Sequence, residues 1–293
     1  MKTTASHIKQ RASRSVSPWQ RSSSILPAIN ALPVRADPTQ RPSISRLRRP
    51  VGQWLPLGRS SVSARIVVLQ HGGHQRPVIH RGSKHLRFRF ASTKTKTTQL
   101  GEGKGEEALA HYNEVATEVA DYECHPYQFE FQRPCGFTRY RPDCVRVFRD
   151  GRVEVIEVKR TATDLDDPDD RERLALAAEI CRQCGWGFRI LFLNDILGSC
   201  ARQLNVAALY TRRSMQLSRD EERVASHIIA NSAPITWGEL RDRLAPNDPL
   251  QGDAAIERLL ARGMLSTDLD LKFTPVTLLF PTHPSVGVSE IRL

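Results

Sequence analysis

Tyr140-Arg141-Pro142-Asp143, then Arg149-Asp150-Gly151, then Val153-Glu154-Val155-Ile156-Glu157-Val158-Lys159: the reading of this run decides the fold. Residues 139–148 alternate loosely and end at Asp-Gly, a strong short-range hairpin signal between two apolar runs. Two adjacent antiparallel strands are expected. In the second, Val153, Val155, Glu157 and Lys159 share one face and Glu154, Ile156 and Val158 the other, because side chains alternate with period two. Asp143 near the start of the first strand and Glu157 near the end of the second are then brought together by the pairing.

Two carboxylates converging in a partly buried cleft repel unless a cation sits between them, and hard oxygen ligands favour magnesium, with manganese as a second choice. Such an ion polarises a phosphate oxygen and acidifies a bound water, while Lys159 is placed to orient that water or offset the charge developing at phosphorus. This spacing therefore suits hydrolytic phosphodiester cleavage. It also occurs without chemistry, since strands ending in Glu-Val-Lys are common and Pro-Asp is a frequent turn dipeptide.

Pro142-Asp143 with Glu157-Val158-Lys159 resembles the PD-(D/E)xK restriction-endonuclease-like superfamily, and within it the TnsA-type transposon endonucleases. In that family a helix bearing a glutamate precedes an extended V-x-x-Y/F-x-x-Q-P segment, then Y-x-P-D, then an acidic or amide residue two before a lysine. Residues 119–126 match the extended segment, with His125 in place of the usual glutamine, and a strand is expected over 127–131. Counting back by the family's spacing falls on Glu106, with Glu107 beside it, in a predicted helix containing Leu109, Tyr112, Ala116 and Val119. After the lysine come an acidic loop (164–170), an amphipathic helix (171–184) and a buried strand (188–193), which correspond to the crossover helix and next strand of the nuclease core.

The resemblance implies an α/β fold, a restriction-endonuclease-like mixed sheet flanked by helices. It implies Glu106, Asp143 and Glu157 as magnesium ligands and Lys159 as the catalytic lysine. Family members cut double-stranded DNA at transposon 5′ ends, alongside an integrase-type transposase subunit that handles the 3′ ends and an ATPase regulator. A Holliday-junction resolvase or repair nuclease shares the cleft but usually lacks the C-terminal module described below. A non-catalytic DNA-binding or assembly subunit is the alternative of another class.

The net charge of +11 is unevenly spread. Residues 1–100 hold nineteen Lys and Arg against the single acid Asp37, while the remainder is mildly acidic. Rich in Ser, Arg and Pro, residues 1–85 are expected to be disordered, because they offer little apolar surface to offset chain entropy. Such a tail suits an arm along DNA phosphates, a transit peptide, or an extension without function. No apolar run reaches the eighteen residues of a membrane span, so a soluble, cytoplasmic, nucleoid-associated protein is expected. Cys181-Arg182-Gln183-Cys184 lacks a second ligand pair at zinc spacing, and scattered cysteines fit a reducing compartment.

The nuclease domain is expected over 86–198, followed over 199–293 by a linking helix (199–215) and a compact unit. Ser218 with Glu221, and Thr236 with Glu239, have capping-box spacing before helices at 220–231 and 237–244. A third helix (252–262) stops at Gly263, and a strand is expected over 264–274. Three helices and a small hairpin describe a winged-helix domain, which the TnsA family also carries. Its third helix offers Gln251, Arg258 and Arg262 to DNA, whereas Asp253, Glu257, Asp268 and Asp270 suit a protein partner instead.

Overall fold

The structure, a computed structural model, describes residues 54–57, 61–67, 86–231 and 233–282. Its central sheet has the order β10-β9-β8-β5, built from β5 (Val119–Cys124), β8 (Cys144–Phe148), β9 (Val153–Lys159) and β10 (Gly187–Phe192). β8 pairs antiparallel with β9 across the Asp150-Gly151 turn, and β10 runs parallel to β9. Gly151, at φ +85°, supplies the left-handed residue that this turn requires.

The alternation of β9 sorts its side chains between two cores. Val153 and Val155, with Val145 and Val147 of β8, face helix α2 (Pro168–Gln183) and a second sheet. Ile156, with Cys124 and Cys144, faces helix α1 (Gly103–Val115) through Leu109 and Ala110. Both faces of the central sheet are thus covered, so its strands read as near-continuous apolar runs.

The second sheet has the order β1-β2-β6-β7, with β1 (Leu55–Pro56), β2 (Ser63–Val67), β6 (Gln128–Arg133) and β7 (Gly136–Tyr140). A hairpin of β3 (Arg87–Ala91) and β4 (Thr98–Glu102) leads into α1. The loop between β3 and β4 is tied to α1 through buried Glu114, which accepts from the Ser92 and Thr93 hydroxyls and the Thr93 amide.

Two strand expectations change here. The single strand over 139–148 is two strands in different sheets, broken at residues 141–143. Pro142 has no amide to donate and restricts Arg141 before it, so the ladder cannot run through. Residues 1–85 are not uniformly disordered: β2 pairs with β6 from Ser63↔Gln132 to Val67↔Gln128, and Leu57 and Ala64 are buried. A short alternating segment gains enough by covering the open edge of β6. The rest of that tail lies outside the described residues.

The C-terminal region begins with the short helix α3 (Leu193–Leu197) and the linking helix α4 (Cys200–Arg212). It continues with α5 (Arg219–Asn231), α6 (Trp237–Leu244) and α7 (Pro249–Ala261), and with three short strands, β11 (Ile235–Thr236), β12 (Leu265–Ser266) and β13 (Leu278–Pro281). The Thr236–Glu239 capping box is formed. Leu240, Ile256, Leu259 and Leu279 build its core, which Leu209 of α4 and Val115 of α1 join. The strand expected over 264–274 is only the two residues of β12. An Asp268 turn and the Asn205 amide, donating to the carbonyls of Leu269 (2.9 Å) and Leu271 (2.8 Å), draw the following chain toward α4.

The two third-helix arginines differ in how far they are engaged internally. Arg258 is ion-paired with Glu221, and Arg262 donates to the carbonyl of Met215 (3.0 Å) and to Gln216 (3.3 Å). Gln251 and Arg262 are exposed, whereas Arg258 is half-buried.

Candidate active site

Asp143 follows the break at Pro142 and joins three strands at once. Its backbone N–H donates to Ile156 (3.1 Å), its carbonyl accepts from His125 (3.0 Å), and its Oδ2 accepts the Val158 N–H (2.7 Å). The carboxylate is therefore fixed between the ends of β5 and β9.

Glu106 arrives from the first turn of α1, with Oε2 accepting the Glu102 N–H (2.9 Å). Close approach of this turn to β9 depends on Gly105, where an added Cβ would meet Val158 Cγ1 at 2.7 Å. Glu106 Oε2 also lies 3.0 Å from His125 Nε2. Ligand atoms of Glu106, His125 and Asp143 all fall within 4.8 Å of one another, a donor set suited to a divalent cation.

Burial, then the charges of Glu157 and Glu106, hold the Asp143 carboxyl well above the ordinary carboxylate range. The Val158 N–H and the Lys159 charge oppose this rise without cancelling it. Glu157 stands beside the cluster: its Oε2 accepts the Tyr140 hydroxyl (2.7 Å) and its Oε1 meets Lys159 Nζ (2.7 Å). Lys159 also lies 3.5 Å from Asp170 of α2, so the ammonium is poised between two acids at the rim. Burial and the neighbouring Glu157 and Asp143 push the Tyr140 hydroxyl well up, which keeps it a proton donor.

Of the sequence-derived residues, Glu106, Asp143, Glu157 and Lys159 come to one end of the central sheet. The ligand geometry differs from the expected set in one respect. His125 occupies the three-residue cluster with Glu106 and Asp143, while Glu157 is engaged by Tyr140 and Lys159. Glu107, the neighbour of Glu106, bears electrostatically on Tyr210 of α4 instead. Sequence reading missed Tyr140 as the partner of Glu157, although it opens the deciding motif, and it took the His125 departure from the family pattern to leave the metal centre untouched, whereas the ring stands in the cluster.

His125 sits at φ +49° immediately before Pro126, a left-handed backbone that costs about 1–3 kcal/mol in a non-glycine residue. Its side chain is 1% exposed. Hydrogen bonding to Asp143 and the contact with Glu106 hold the ring there.

A mixed sheet flanked by helices, with acids and a lysine converging at one sheet end, defines the restriction-endonuclease-like fold. Residues 116–192 match the family model for the TnsA-like endonuclease N-terminal domain, and over that segment the chain carries a TnsA-type endonuclease domain, a nuclease of the transposase type. The match runs from the start of β5 to the end of β10 and includes His125, Asp143, Glu157 and Lys159. No curated protein matches the chain. Among the described residues no helix is long and apolar enough to cross a membrane.

Proposed function

We propose that this chain is the metal-dependent DNA endonuclease subunit of a heteromeric transposase, hydrolysing phosphodiester bonds at transposon 5′ ends. The observation that carries this reading is the convergence of Glu106 and Asp143 beside the Glu157–Lys159 pair. Glu106 and Asp143 would hold the ion, magnesium or manganese, with Glu157 at its edge. Such an ion supplies Lewis-acid polarisation of phosphate and a more acidic bound water. Tyr140 fixes one oxygen of Glu157 by donating to it, and the other oxygen positions Lys159. The Lys159 ammonium is then oriented to donate a hydrogen bond that orients the attacking water and to offset charge on the phosphate.

Double-stranded DNA as the substrate is supported by the cations at the rim. Lys104 lies two residues before Glu106, Arg141 two residues before Asp143, and Arg160 directly after Lys159; all three are exposed. Lys104 and Arg141 have no ion-pair partner among the described residues, and the nearest carboxylate to Arg160 is Asp164 at 3.9 Å. Arg139, with its side chain 62% exposed although 3.4 Å from Glu130, continues this row along β7.

The C-terminal unit, which we read as a winged helix, offers exposed Gln251 and Arg262 to DNA on its third helix, while Arg258 is paired internally with Glu221 and the acids around it suit a protein partner. An integrase-type transposase subunit and an ATPase regulator are the partners this reading supplies, with action on the nucleoid in the cytoplasm. The test is nicking of transposon-end DNA in magnesium or manganese, with and without those partners. Wild type should cut, and Asp143→Ala and Lys159→Ala should not; equal cleavage by all three would sink the assignment.

A further inference from the structure

We infer that His125 is itself a ligand of the metal centre and tunes it toward a manganese-type ion over magnesium. This deepens the nuclease reading, on which it rests for the ion's purpose. The imidazole is buried at the end of β5, and its Nε2 faces Glu106 Oε2 at 3.0 Å. Its Nδ1 is buried and has no hydrogen-bond partner among the described residues. The ring's polar contact is therefore with the carboxylate cluster alone.

The spacing fits shared coordination. Two donors bound at right angles to one ion, each at about 2.1 Å, lie about 3.0 Å apart. The left-handed backbone at His125 aims the ring inward despite the following proline, and conformational strain of this kind persists where the surroundings over-determine it. Asp143 completes the set, its carbonyl holding the His125 amide while its carboxylate joins the same cluster.

The donor chemistry then sets the metal. Magnesium favours oxygen ligands and sheds water reluctantly, whereas imidazole suits first-row transition ions, among which manganese also accepts carboxylates. An amide at position 125, the usual residue in the resembled family, would present oxygen or N–H there instead of an imidazole nitrogen. The histidine is thus a metal-specificity determinant of this site.

The test is pulsed electron paramagnetic resonance of Mn²⁺ bound to the full chain without DNA, joined to Mn²⁺ and Mg²⁺ competition titrations. Wild type should show nitrogen coupling from a directly bound imidazole and should bind Mn²⁺ at least about tenfold more tightly than Mg²⁺. His125→Asn, which tolerates the left-handed backbone, should lose that coupling and about tenfold or more in Mn²⁺ affinity. Its Mg²⁺ affinity should change by less than about threefold, because oxygen ligands carry that ion. Absence of the coupling in wild type overturns the inference whatever the variants do. Unchanged Mn²⁺ affinity in a folded His125→Asn also overturns it, as does a His125→Gln protein that retains wild-type Mn²⁺ affinity, since the ring would then only position Glu106. Coupling without cleavage in any metal leaves the ligand standing and removes the nuclease reading.

Discussion

The C-terminal unit and the end of the central sheet treat charge in opposite ways. In the C-terminal unit and its linking helix, arginines are matched with acids: Arg202 with Asp270, Arg212 with Glu257, Arg258 with Glu221, and Arg223 with Asp220. At the end of the central sheet the reverse holds. Carboxylates of Glu106 and Asp143 gather with Glu157 nearby, and Lys104 and Arg141 stand exposed at the rim without partners among the described residues. Folding half a structure around unrelieved charge is costly, so the difference teaches where ligands belong: a cation among the acids and phosphates along the rim.

The comparison breaks most visibly in catalysis. Asp143→Ala and Lys159→Ala should each lower single-turnover nicking by roughly 10²–10³-fold or more, the scale of losing one transition-state contact. Both proteins should still unfold cooperatively by calorimetry, Lys159→Ala at a lower temperature because it leaves buried Glu157 without its ammonium. A loss of activity that tracked a loss of fold would place these residues with the structural pairs instead.

The matched half should show the opposite pattern. Arg258→Ala leaves Glu221 as an unpaired, largely buried carboxylate and should cost about 3 kcal/mol of stability in chemical denaturation. Its effect on the metal affinity of the catalytic cluster should be negligible. A stability change well under about 1 kcal/mol would mean that this pair behaves as a surface contact.

The pH dependence separates the halves again. Because Asp143 is raised in the folded state, the fold binds its proton more tightly than the unfolded chain does. The metal-free protein should therefore lose stability as pH rises from the ordinary carboxylate range through the raised value, and keep that loss above it. Asp143→Asn should flatten this slope, and added divalent metal should oppose it in wild type; thermal melts across pH check both. A wild-type slope that Asp143→Asn leaves intact assigns the titration elsewhere.

The smallest effect sharpens the comparison at the rim. Joint replacement Arg139→Ala and Arg141→Ala should reduce the slope of log affinity against log salt by about 1.8 for duplex DNA, if each contacts one phosphate. Arg223→Ala in the matched half should leave the slope unchanged. Equal slopes in both variants would remove β7 from the DNA path.

How far the sequence was legible follows the same physical lines. Alternation in β9 was readable because period two on a doubly covered strand leaves few choices, and that placed Glu157 with Lys159. Glu106 required a family spacing, since a helix approaching across a sheet leaves no local mark beyond Gly105. The strand break at Pro142 was present in the letters, yet a hairpin reading carried the strand through it. β2 was hidden because a basic, serine-rich tail masks five residues whose partner lies 65 positions away, as the Arg65–Glu130 contact shows. Arg258 looked available for DNA because helical position gives a direction and not the acid waiting there. His125 stood out as a substitution, but its left-handed backbone and its contact with Glu106 exist only after folding.

The gathered acids are the centre of this account, and anomalous diffraction from crystals soaked in Mn²⁺ tests them most directly. The account predicts a peak bounded by Glu106, Asp143 and His125 that disappears in Asp143→Ala. A well-occupied peak elsewhere with none in that cluster, or a cluster peak that survives Asp143→Ala, would contradict it.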